Sequence, residues 1–254
     1  MYAAHPAFKS PDENVVLWRY LDFTKFISLL ETSSLYFTRS DNFSDIFEGT
    51  YNKRSFDMFN TDYLKTCRDL GISKELAEST LLDIKKSNSH MRRYVAINCW
   101  HMNESESAAM WQLYLKSNEG IVIKSSFGNL KKAIEGSSEH IMLGEVSYLD
   151  YSNDIIPYDN VLTPFMCKRK SFEHERELRA IILKLPVKDA GIAYTDETIG
   201  HGMNIQCDLD MLINEIYVAP NSPKWFVELI KSIIVRYGKS WNVQNSKLDE
   251  EPFY

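Results

Sequence analysis

The stretch of this chain richest in chemistry is Glu173-His174-Glu175-Arg176-Glu177-Leu178-Arg179, which runs directly into the apolar segment Ala180-Ile181-Ile182-Leu183. If its second half is extended, Glu175, Glu177 and Arg179 share one face, because side chains alternate along a strand. Gathering two carboxylates costs energy through like-charge repulsion, and sites that must stabilise a developing positive charge or a metal accept that cost. The competing expectation is a helix on which Glu175 and Arg179, at i and i+4, form a solvated ion pair.

Three further groups invite a chemical reading. The loop Asn42-Phe43-Ser44-Asp45-Ile46-Phe47-Glu48-Gly49 sets aromatic residues between acids. Asp45 and Glu48 there serve either a site or, for Asp45, only a local backbone turn. In Met110-Trp111-Gln112-Leu113-Tyr114, the aromatic pair Trp111 and Tyr114 lies one helical turn apart, as core residues or as a stacking platform. Arg19 stands between Trp18 and Tyr20 inside an apolar run, so it needs a partner: a carboxylate such as Glu175 or Glu177, or a ligand phosphate. The basic runs Lys168-Arg169-Lys170 and Lys85-Lys86 with Arg92-Arg93 are solvated faces or local nucleic-acid contacts.

Much other chemistry is absent. Neither GxxxxGK[ST] nor GxGxxG occurs, so no glycine-rich loop cradles a phosphate, and no GxSxG marks a nucleophile elbow. The six histidines are isolated, with no pair spaced for zinc, and no metal is expected. With 35 acidic and 29 basic side chains, the net charge of -6 provides no bulk attraction for nucleic acid. The four cysteines, Cys67, Cys99, Cys167 and Cys207, show no CxxC spacing, which fits a reducing, cytoplasmic compartment. Neither a signal peptide of ordinary form nor a membrane span is expected.

The elements that must position these groups follow from periodicity. Residues 1–14, with Pro6 and Pro11, read as a flexible arm, and 15–254 as a single domain. Strands are expected at 15–20, 35–38, 93–100, 121–123, 143–151, 178–185, 205–209, 213–218 and 241–246. Helices are expected from Phe23, capped by Asp22 or Thr24, and over 56–70, 73–87, 105–115, 163–172 and 223–236. Strands and helices mixed irregularly indicate an α+β fold, a mixed or antiparallel sheet with about five surrounding helices.

Taken in order, these groups resemble the bacterial family called domain of unknown function 2971. That pattern has a "lyf" strand, then N-D-P-F-E, C-F-S, M-W-x-x-Y with a following glycine, and E-x-E-x-R. Here they match Leu35-Tyr36-Phe37, Ser44-Asp45-Ile46-Phe47-Glu48, Cys99-Trp100-His101, Met110-Trp111-Gln112-Leu113-Tyr114 with Gly120, and Glu175-Arg176-Glu177-Leu178-Arg179. The resemblance spans residues 15–250 and departs at Ser44 and Ile46, where the pattern has asparagine and proline. The opening Leu17-Trp18-Arg19-Tyr20-Leu21, with Phe26-Ile27-Ser28-Leu29-Leu30 and Leu35, is similar to the first strand and helix of NAD-dependent ADP-ribosyltransferases of the DNA-modifying toxin and RNA phosphotransferase type. Those enzymes place a glutamate on a late strand. The histidine many of them carry after the first strand is replaced by Leu21 or Asp22.

The resemblance implies an ADP-ribosyltransferase-like fold and a NAD-consuming transferase or glycohydrolase, with NAD as substrate. Glu177 or Glu175 would stand beside the ribose and Arg179 would orient that carboxylate. Arg19 would hold the pyrophosphate, and Tyr36 or a neighbouring aromatic, Trp111 or Tyr114, would stack on the nicotinamide. A macromolecular acceptor, protein or nucleic acid, and a role in bacterial defence against phage or in toxicity would suit that activity. Two other expectations stay open: a divalent-metal phosphodiesterase or nuclease with Asp45, Glu48, Glu175 and Glu177 converging on the ion, and a non-catalytic module that senses a ligand or partner.

Overall fold

A computed structural model describes residues 1–115, 118–188, 191–192 and 197–253. Strand β1 (Val16–Asp22) ends on the residue that caps helix α1 (Phe23–Thr32), where the Asp22 carboxylate accepts the Lys25 N–H at 2.8 Å. Phe26, Leu29 and Leu30, at helical spacing, form the buried face of α1. Ser33 takes a left-handed backbone, φ 46°, and turns the chain into β2 (Ser34–Arg39). Two long helices follow, α2 (Lys53–Asp69), begun by Asn52, and α3 (Lys74–Met91), begun by Ser73. Next come β3 (Val95–Met102), α4 (Ala108–Tyr114), β4 (Gly120–Ser126) and α5 (Phe127–Ala133). The chain continues through β5 (Met142–Glu145), β6 (Ser147–Leu149), β7 (Cys167–Arg169) and β8 (Glu177–Leu183). Its last part holds β9 (Val187–Lys188), β10 (Gly191–Ile192), β11 (Gly202–Gln206), α6 (Leu209–Leu212), β12 (Glu215–Val218), α7 (Lys224–Arg236) and β13 (Asn242–Asn245).

The protein is α+β, one domain built on a mixed sheet that is antiparallel except where β12 pairs with β13. β3 lies at its centre and has three neighbours. Along one edge β8 pairs with it from Val95 to His101. Two strands share the other edge: β2 takes Ala96 and Ile97, and β1 takes His101 and Met102. Asn98, Cys99 and Trp100 therefore face no strand on that side, and β1 and β2 diverge from β3 as the prongs of a fork. β11 extends the β2 prong, and β4, β12 and β13 extend the β1 prong. The main apolar core joins both prongs through Leu17 and Leu21 of β1, Leu35 and Phe37 of β2, and Phe26, Leu29 and Leu30 of α1. Among the described residues no helix is long and apolar enough to cross a membrane.

Several elements depart from expectation for identifiable reasons. The helix expected over 163–172 is instead a 3-10 turn (Thr163–Met166), the strand β7 and a second 3-10 turn (Lys170–Glu175). Tertiary pairing overrides its helical spacing, because β7 runs parallel to β6 and its charged side chains meet buried acids. The single strand expected over 143–151 breaks at Val146, whose N–H donates to the Glu177 carbonyl at 2.9 Å. Helix α6 cuts the strand expected through Leu209 short, because Asp208 caps it by accepting the Asp210 and Met211 N–H groups. Residues 1–14, expected as a flexible arm, make specific contacts: Tyr2 bridges Ile141, and Phe8 is buried beside Met166 and Leu162.

Candidate functional site

The fork opens into a cleft of about 420 Å³, within the range of about 300–1,000 Å³ usual for small-molecule sites. Both prongs, α1, the end of α4 and the turn before β8 line it. Arg19 on β1, Tyr36 on β2, Tyr114 on α4, and Glu175 and Glu177 all reach this one cavity. Residues remote in sequence meet here because β1 and β8 lie on opposite edges of the same central strand.

Arg19 lies in the gap between the prongs. One of its N–H groups donates to the Cys99 carbonyl at 2.5 Å, satisfying a backbone acceptor that no strand reaches, and its guanidinium sits 5.8 Å from the centre of the Trp100 ring. Among the described residues it has no carboxylate partner, so burial pulls its pKa below the ordinary arginine value. Its free donors remain available to a ligand anion.

The acids are held differently. Glu175 ends the 3-10 turn, Arg176 takes a left-handed backbone at φ 39°, and Glu177 begins β8. A left-handed arginine costs about 1–3 kcal/mol. Hydrogen bonds hold this stretch, among them Arg176 N–H to Glu173 O, Met102 N–H to Arg176 O, Glu177 N–H to the Tyr148 hydroxyl, and His101 Nδ1 to Glu175 O. The turn brings both carboxylates onto one ammonium, with Lys168 Nζ 2.5 Å from Glu175 and 2.6 Å from Glu177. Arg179 Nε donates to the other Glu177 oxygen at 2.7 Å, while its Nη atoms grip Glu48 and the Phe165 carbonyl. Gly49, at φ 66°, lets the chain pass the Phe165 ring beside Glu48, where a Cβ would lie 2.3 Å from that ring.

Burial raises the Glu177 carboxyl's proton affinity, but Arg179 and Lys168 outweigh it and hold its pKa well below the usual carboxylate range. Glu175 lacks the second cation. Burial, and then the neighbouring Glu177 charge, push its pKa up to about 7 despite Lys168. The cleft wall thus pairs an ionised acid with one that titrates near neutrality, an arrangement suited to charge stabilisation by the first and proton transfer by the second.

The remaining candidates divide. Tyr36 and Tyr114 line the cleft and are 45% and 46% exposed. The Tyr114 hydroxyl is buried among Cys99, Glu177 and Glu175, which raises its pKa. Trp111, expected among the cofactor-binding aromatics, lies outside the cleft: it is buried edge-on against Tyr20, and its indole N–H donates to Glu106 at 2.8 Å. Arg179 is fully buried behind Glu177 rather than in the cavity. Glu48 supports Arg179, and Asp45 pairs with Arg169 at 2.9 Å, so neither faces the cleft. The Lys168-Arg169-Lys170 run is correspondingly no solvated patch at its first two positions.

These contacts do not fit a divalent metal. Asp45, Glu48, Glu175 and Glu177 are each already paired with a lysine or arginine, and among the described residues no cluster of donors suited to a metal occurs. The sequence gives no site role to three residues in or beside the cleft. Lys168 bridges the acids, Asn98 fills the fork and His101 lies in the cleft wall. The nearness of Lys168 to the acidic cluster was a usable signal; for the other two only strand register reveals the placement. No protein-family model matches the chain, and a search of curated proteins gives no match.

Proposed function

We propose that this protein cleaves the nicotinamide–ribose bond of NAD, as an ADP-ribosyltransferase or glycohydrolase. The observation that carries the reading is the meeting in one cleft of Arg19, a cation without a carboxylate partner among the described residues, and the Glu175–Glu177 pair. Departure of nicotinamide leaves positive charge on the ribose, as glycoside cleavage does, and an ionised carboxylate beside that sugar lowers the barrier. Glu177 takes that part, held ionised by Arg179 and Lys168. Glu175, with its pKa near 7, takes the proton from the attacking group, be it water or a protein or nucleic-acid acceptor. Arg19 binds the pyrophosphate, and Tyr36 and Tyr114 supply aromatic faces for the nicotinamide. The likeness of residues 17–35 to the opening strand and helix of ADP-ribosyltransferases supports the same reading, and such an activity fits a bacterial defence or toxin protein.

The test is incubation of the full chain with NAD and assay of free nicotinamide and of ADP-ribose on proteins and nucleic acids. Release is expected, and Glu177→Gln should lower it by about 10²–10³-fold, the usual loss when a group aimed at transition-state charge is removed. No release and no ADP-ribose on any macromolecule rejects the proposal. NAD binding without turnover, unchanged by Glu177→Gln, instead identifies a sensing module.

A further inference from the structure

His101 is a polar residue of the cleft wall that the proposed reaction leaves unused. It stands on β3 directly across from Glu177 on one side and Trp18 on the other, and is only 4% exposed. Its Nδ1 lies 2.7 Å from the Glu175 carbonyl oxygen. A carbonyl only accepts, so Nδ1 carries the proton, and in the neutral ring Nε2 is left as a lone-pair acceptor. Burial outweighs the bond to the Glu175 carbonyl and, with Arg176 and His174, disfavours the charged ring. The aromatic group packed against the imidazole is Tyr20, with ring centres 6.2 Å apart. Nε2 is buried and, among the described residues, has no hydrogen-bond partner. Buried polar atoms are nearly always paired, and one that is not, on the wall of a cavity, marks a bond still to be made.

We infer that His101 is a substrate-binding residue whose Nε2 accepts a hydrogen bond from a ribose hydroxyl, while its Nδ1–H holds the turn that presents Glu175 and Glu177. This rests on the NAD reading and assigns the sugar to the Glu177 end of the cleft. A lone pair can be met only by a donor, so a fully ionised phosphate such as the pyrophosphate of NAD, which has no O–H, cannot take this position, whereas a sugar hydroxyl can. The two ring nitrogens have separate duties, and two substitutions separate them. His101→Asn keeps a donor near the Nδ1 position and deletes Nε2. His101→Gln places an amide near the Nε2 position and gives up the bond to Glu175.

The experiment is nitrogen NMR on the full chain labelled at histidine, titrated with ADP-ribose and with inorganic diphosphate, beside affinity and melting measurements on both variants. ADP-ribose should shift the unprotonated Nε2 resonance, and diphosphate should not. His101→Asn should bind ADP-ribose about tenfold more weakly, as expected for one lost hydrogen bond, with little change in melting. His101→Gln should keep most of the affinity and melt earlier. An unmoved Nε2 resonance with ADP-ribose bound, or equal affinity in the two variants, overturns the assignment. Nicotinamide release with Nε2 unmoved overturns this inference alone, and a shifted Nε2 without release overturns the reaction but supports the contact. Failure of ADP-ribose to bind, together with no release, overturns both.

Discussion

Lys168 shows how a site can be assembled from charges that would each be costly alone. Its ammonium holds two acids in the cleft wall, and the buried Arg179 adds a second cation on the Glu177 side only. The two carboxylates then titrate in opposite directions. Because Glu175's folded pKa is raised from 4.5 to about 7, its contribution to stability is full below pH 4.5 and is lost as pH rises to about 7. Glu177, depressed in the fold, contributes stability above pH 4.5 that is lost as pH falls toward its folded pKa. Glu175→Gln imitates the protonated form of the first acid. Melting followed from pH 4 to 8 should show the variant gaining on the parent between about pH 4.5 and 7, then running parallel to it. A difference independent of pH would show that Glu175 keeps an ordinary pKa. The rate of the proposed NAD cleavage should rise through about pH 7 in the parent and lose that rise in the variant.

At the level of elements, the cleft exists because two strands compete for one edge of β3. Asn98 stabilises the opening between them. Its amide donates to the Tyr36 carbonyl on β2 and accepts the Trp100 indole N–H, both at 2.8 Å, in the segment where this edge of β3 has no strand partner. Arg19 performs the matching task at the Cys99 carbonyl. Replacing Asn98 by alanine leaves two buried polar groups unpaired, so urea unfolding should show a loss of about 2–6 kcal/mol, taking about 1–3 for each group. A loss below about 0.5 kcal/mol, the size usual for surface changes, would mean that the fork does not depend on this residue.

Across the molecule, burial is uneven. The sheet and α1 form a continuous apolar core, whereas α2 and α3 bury only Ser55, Cys67, Ala77 and Met91 and leave Met58, Leu76 and Leu82 exposed. Sparse burial lowers the free energy of local opening. Amide hydrogen exchange should therefore be markedly faster over residues 58–86 than in β3, β4 and β8, and equal protection would show that the hairpin of helices unfolds only with the core.

The amino-acid sequence alone determined the α+β class, most of the long elements and the acidic motif beside an apolar strand. Periodicity and capping residues such as Asp22, Asn52 and Ser73 are local, and local signals suffice for those features. Tertiary structure alone decided that Arg19 and the Glu175–Glu177 pair share a cavity, that Trp111 does not, and that Lys168 is a bridge rather than a surface charge. Those facts depend on strand order and register, which place residues far apart in sequence across a common strand. They depend equally on burial and on the placement of cations: burial raises the proton affinity of both acids, and Arg179 with Lys168 reverses that for Glu177 alone.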